Sequence, residues 1–162
     1  MSLEDFVAAD PRQPQQSEQA FLVEGCAFGG QLRFDDRADP ARGGRLDVML
    51  DGSEGPKMMD NIVVRARGDL IIQEDPDGPL VARIWRYEPA TDKLELIAQH
   101  DAALFDGPRA ISTSEESSGV IDASDILGDG WILFDVQTHT ATQGGQLLAM
   151  HLTPPRRRVV RH

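Results

Sequence analysis

Short apolar runs, many of them β-branched, alternate along this chain with clusters of Gly, Pro, Asp and Asn. Asn61-Ile62-Val63-Val64-Arg65 predicts a strand, Arg67-Gly68-Asp69 a turn, and Leu70-Ile71-Ile72-Gln73-Glu74 the returning strand. From Ala82 to Tyr87 the pattern has period two, and Lys93–Ala98 follows after the turn Glu88–Asp92. Four antiparallel strands therefore fit in about forty residues, a density in keeping with short strands and tight turns. No window predicts a long amphipathic helix; Ala123–Leu127 is at most one helical turn.

The pattern repeats. Phe21–Glu24, Leu70–Glu74 and Trp131–Asp135 are apolar runs that end in a carboxylate. A glycine-containing loop and a second strand follow each: Gly30–Phe34, Arg83–Tyr87 and Gly145–Met150. A further strand follows twice, at Arg45–Leu50 and Lys93–Ile97. Leu32 and Ile84 are 52 positions apart, and Ile84 and Leu147 are 63 apart. Those intervals lie near the roughly 40–50 residues of a propeller blade, the second lengthened by a loop. The expected fold is all-β: a partial β-propeller of four-stranded antiparallel blades, about two and a half of them. Residues 60–100 form the complete blade, 20–52 the last three strands of an earlier one, and 116–152 the first three of a later one. The domain is expected over 20–153, with an irregular arm at 1–19 and a basic tail at 154–162. A small independent β-sandwich is the structural alternative.

Composition narrows the partners. Lys and Arg total 16 against 27 Asp and Glu, a net charge of −11, which disfavours nucleic acid and anionic membranes. No apolar run reaches the roughly 20 residues of a membrane span, and the N-terminus shows no secretory signal. One cysteine, Cys26, forms no internal disulfide and reads as a structural thiol.

The acidic residues acquire meaning from the strand order. In an antiparallel blade, the start of the first strand and the end of the second share one rim. Asp60 and Asn61 open the first strand of the complete blade, and Glu74-Asp75 close its second. Glu115-Glu116 precede the next first strand, Asp135, Gln137 and His139 lie at or after the end of its second, and Glu24 holds the matching place earlier. Such an oxygen-rich rim suits calcium, which takes six to eight oxygen ligands. Strand-end Asp and Asn also hydrogen-bond turn backbone, and Asp51-Gly52 and Asp77-Gly78 read as turns only. Ser117 and Ser118 lack the setting of a nucleophile elbow. Trp85, Tyr87 and Trp131 read as packing between blades.

Met59–Val64 with Gly68–Asp75, Ile84–Pro89, Glu116–Asp122 and Gly130–His139 resemble the PhoX-type alkaline phosphatases, bacterial β-propellers. The resemblance spans roughly 20–152. It implies phosphoester hydrolysis at the channel mouth, with calcium and iron held largely by carboxylates. Carried over, it makes Glu74 and Glu116 calcium ligands, with Asp60, Asn61 and Asp135 behind them, and gives His139 contact with metal or phosphate. It also suggests export to the periplasm. The resemblance covers only the later blades of such a ring, so an upstream half or a second copy is expected to complete it. The alternatives are a non-enzymatic propeller module that closes by oligomerisation, and a lactonase-like hydrolase.

Overall fold

The computed structural model describes residues 18–22, 29–34, 39–76, 80–139 and 144–152. The arm before Glu18, Glu24, Cys26, the Asp77-Gly78 turn and the basic tail lie outside the described residues.

Ten strands make three antiparallel sheets, none of them closed among the described residues. The first sheet joins β1 (Glu18–Leu22), β2 (Gly29–Phe34) and β3 (Gly44–Leu50) in chain order. The central sheet joins β4 (Met59–Val64), β5 (Leu70–Glu74), β6 (Arg83–Glu88) and β7 (Lys93–Gln99). The third joins β8 (Glu115–Asp122), β9 (Trp131–Thr138) and β10 (Gln146–His151). The protein is thus all-β. Among the described residues three helical turns interrupt it: a 3-10 turn at Pro40–Arg42, α1 (Ala102–Phe105), capped by the Asp101 carboxylate, and α2 (Ser124–Leu127). The sequence pattern did not predict α1. No helix of the described residues is long and apolar enough to cross a membrane.

The central sheet is covered on both faces, because successive side chains of a strand point to opposite sides. Leu70, Ile72 and Tyr87 face Leu50 of the first sheet, with Met59 and Trp85 among them. Ile71 and Ile84 face Val120, Ile132 and Phe134 of the third sheet. Every residue of β5 is buried as a result. A fully buried aliphatic side chain of this kind contributes about 1.5–3 kcal/mol. Inside the chain, β4 lies beside both β1 and β8.

Of the four register shifts among the described strands, two shape the rim. One falls between Met59 and Asn61, leaving Asp60 as the extra residue of β4. The other lies between Ser118 and Ile121 of β8, where Gly119 takes a φ of +60°. Bulges re-aim side chains by breaking the alternation of the pleat. The β8 bulge also withdraws backbone groups from the ladder, and the buried Gln73 side chain takes them up. Its Oε1 accepts from the Val120 N–H at 3.2 Å, and its Nε2 donates to the Ser118 carbonyl at 3.3 Å.

At the opposite end of the strands, Arg65 is buried and donates from Nε to Asp69 Oδ1 at 3.0 Å, with Nη2 on the other oxygen. Arg86, also buried, lies 3.8 Å from Asp69 and 2.6 Å from Glu88. An open recess of about 350 Å³ there is lined by Arg67, Asp69, Arg86 and Glu88. Arg86 Nε in its wall and Nη1 of the adjoining Arg65 are buried without a hydrogen-bond partner among the described residues.

Candidate metal centre

Asp60, Asp75 and Glu116 bring carboxylate oxygens within 4.8 Å of one another. Three separate features of the fold place them. The β4 bulge turns Asp60 aside from the sheet, Asp75 follows the last residue of β5, and Glu116 is the second residue of β8. The glutamates belong to the strand: Glu115 pairs with Thr138 and Glu116 with Gln137, two positions earlier than the sequence pattern placed its start. That extension sends the two neighbours to opposite faces.

Asn61 joins the cluster edge. Its Nδ2 donates to the Asp60 carboxylate and reaches Ser118 Oγ at 3.4 Å. His139 is exposed, with Nε2 3.7 Å from Glu116 Oε1. Met58, immediately before β4, holds a φ of +49°, a left-handed backbone that few non-glycine residues adopt. Its carbonyl accepts from the Asp75 N–H at 2.9 Å, which fixes the chain just where that carboxylate enters the cluster.

The electrostatics of the group are unfavourable without a counter-charge. Burial, then the hydrogen bond and charge of Asp75, then the charge of Asp60 push the Glu116 carboxyl up to about 7; His139 opposes them. Like charges gathered in a partly desolvated site resist ionisation unless a cation neutralises them.

Glu74 and Asp135 stand outside this group. Glu74 is buried against the first sheet, where its Oε1 accepts from the Lys57 N–H at 2.7 Å and the Trp85 indole N–H at 2.9 Å. Burial pushes its carboxyl above the ordinary range despite those donors. Alternation explains the difference: Ile72 and Glu74 share one face of β5, Ile71 and Gln73 the other, and only Asp75, beyond the strand, reaches the rim. Asp135 pairs with Ser118 across β8 and β9, and its carboxylate lies over Gly119. A Cβ there would stand 2.5 Å from Asp135 Oδ1. Gly119→Ala is therefore expected to cost about 1–2 kcal/mol in chemical denaturation, from the left-handed backbone and the displaced carboxylate together. An unchanged midpoint would show that the bulge tolerates a side chain.

Behind the cluster, on the other face of β8, Glu115 Oε1 sits 3.7 Å from His100 Nδ1, both side chains at least nine-tenths buried. Burial raises the Glu115 carboxyl, and burial lowers the His100 imidazole, so both lean towards neutral forms. Two donors do not make a metal site, and no third carboxylate, imidazole or thiol joins them among the described residues.

The fold and this rim define an all-β protein with a three-carboxylate cluster at one end of its sheets. No protein-family model, curated protein or solved structure matches the chain.

Proposed function

We propose that Asp60, Asp75 and Glu116 hold a divalent cation, calcium above all, at the rim of a partial β-propeller similar to the PhoX-type phosphatases. The convergence of three carboxylates distant in sequence carries this reading. Each reaches the cluster through a different device: a bulge, a strand exit and a strand start. An all-oxygen donor set favours a hard cation, and fits iron less well than calcium. The three carboxylates supply part of the six to eight oxygens that calcium takes; water and a substrate oxygen would fill the rest.

Phosphoester hydrolysis is the chemistry this arrangement suits. The cation would polarise the phosphoryl oxygens and offset developing charge. His139, exposed and beside Glu116, would contact a phosphate oxygen or hand a proton to the leaving alkoxide. The module reading, in which the chain binds a partner without turnover, draws on the exposed Ile121 and Leu147 of the third sheet and Val48 of the first.

Thermal unfolding in EDTA and then in excess calcium tests the cation. At calcium a hundredfold above its Kd, linkage predicts about 2.7 kcal/mol of stabilisation, or roughly 5–10 °C for a chain of this size. Asp75→Asn and Glu116→Gln should abolish the rise. An identical midpoint in EDTA and calcium would overturn the reading. If calcium binds, hydrolysis of an aryl phosphate that is lost on chelation and in His139→Ala would support the phosphatase assignment, and no turnover would leave a binding module.

A further inference from the structure

At the end of the central sheet away from the carboxylate cluster, two hairpin turns stand side by side, because Leu70 of β5 pairs with Tyr87 of β6. In the first turn the Arg65 carbonyl accepts from the Gly68 N–H at 2.8 Å, and Gly68 takes a φ of +87°, with Arg67 exposed at the tip. In the second the Glu88 carbonyl accepts from the Thr91 N–H at 3.1 Å. The recess of about 350 Å³ takes its wall from both turns, Arg67 and Asp69 from one side and Arg86 and Glu88 from the other.

Its hydrogen bonds do not balance. All four carboxylate oxygens of the wall already accept a bond. Asp69 takes Arg65 on both of its oxygens, and Glu88 takes Arg86 Nη2 on Oε1 and Thr91 Oγ1 on Oε2. Donors are left over. Arg86 Nε is buried without a hydrogen-bond partner, and Asp69 at 3.8 Å stands too far to serve. Arg65 Nη1 is buried in the same condition, and the exposed Arg67 guanidinium has no hydrogen bond or ion pair among the described residues. Buried polar groups are satisfied in the great majority of cases, and a guanidinium cannot shed its proton. The group that this recess lacks is therefore an acceptor.

We propose that the recess binds a small oxyanion, a phosphate or carboxylate group, held by Arg67 and Arg86. Guanidinium donors take either in charge-assisted hydrogen bonds. Against roughly 30 Å³ for one water, the recess has room for such an ion and part of its hydration. The charges of Arg65 and Arg86 are buried and escape screening by salt, whereas the repulsion from a net charge of −11 fades beyond about 8–10 Å. Glu95, 3.5 Å from Arg86 Nη2, and Asp122, whose carboxyl feels Arg65, hold the affinity to about 1 mM. The inference does not depend on the cation reading, since the two sites lie at opposite ends of the strands.

NMR of the full chain in EDTA tests it, with inorganic phosphate and acetate as separate probes at constant ionic strength and chloride as the reference. At least one probe should shift the Gly68 and Ala90 amides and the Arg86 Nε–H saturably, with a Kd of about 1–10 mM, and the tighter of the two names the group. Arg67→Ala, at an exposed position, should weaken binding about tenfold, the loss of one charge-assisted hydrogen bond, with an unchanged melting temperature. Arg109→Ala removes the same charge from an exposed position outside the recess and should change nothing. Shifts that fail to saturate below about 50 mM with either probe would overturn the proposal. So would equal affinity in Arg67→Ala and wild type. The cation reading fails separately: Asp75→Asn and Glu116→Gln, which should end the calcium response, should leave the shifts at the recess intact.

Discussion

Gln73→Ala should lower the unfolding free energy by about 3 kcal/mol, one of the largest losses expected for a single polar side chain here. The residue is fully buried, yet it lies in no polar pocket of its own. It answers a need created by β8, whose bulge takes Val120 N–H and Ser118 C=O out of the ladder with β9. Gln73 supplies an acceptor to the first and a donor to the second. Truncation leaves the buried Val120 N–H and the half-buried Ser118 carbonyl without those partners, and a buried group so left costs about 1–3 kcal/mol. Gln73→Glu keeps the acceptor but turns a carboxylate oxygen on the Ser118 carbonyl, so its penalty should grow as pH rises. Urea denaturation with an unchanged slope would measure both, and a shift of roughly 6–12 °C in melting should accompany the alanine. A loss below about 1 kcal/mol would mean that the bulge finds other partners. The same variant should blunt the calcium response, because Ser118 and Asn61 hold the edge of the cluster.

Why the sequence revealed the strands but not Gln73 is a matter of range. Alternation and turn residues are local, so β4 to β7 and β9 could be placed within a few residues of their observed ends. The faces of those strands depend on parity, and bulges change parity without leaving a clear local mark. Asp60 is the extra residue of one bulge, which is why it escapes the sheet. Glu74 ends a strand with no such escape, so it is buried under Trp85 while its neighbour Asp75 enters the cluster. Both carboxylates were visible at that strand end, and choosing between them needed the register. Arg65 and Arg86 look like solvent-facing members of alternating strands, but a second sheet covers each face of theirs, and Asp69 pairs with both. The α1 turn escaped because four residues carry too little period to register; its one signal was Asp101, which accepts from the Ala103 N–H at 2.9 Å.

The cluster also dictates how stability should vary with pH, and calcium should reverse the sign. In EDTA, Glu116 titrates at about 7 in the folded protein against 4.5 as a free side chain, raised first by burial and then by Asp75. Glu74 and Glu115 are raised as well, each chiefly by burial. A carboxyl raised by folding contributes stability that is complete below its unfolded pKa and is lost as pH climbs through the folded value. His100 acts the other way: burial lowers it, so its contribution is present above 6.5 and fades as pH falls. Three carboxyls against one imidazole leave a net decline, and the melting temperature in EDTA should fall between pH 5 and pH 8. Calcium binds the ionised carboxylates, so its affinity grows over the same interval. The calcium-loaded protein should therefore hold or gain stability from pH 5 to pH 8, and the two profiles should diverge most at the alkaline end. Glu116→Gln separates the causes. It removes the largest raised carboxyl, so the variant should melt above wild type in EDTA at pH 8, with a flatter profile and no calcium increment. Parallel profiles with and without calcium would show that the three carboxylates do not act as one site. A flat wild-type profile in EDTA would show that their repulsion is already relieved by solvent.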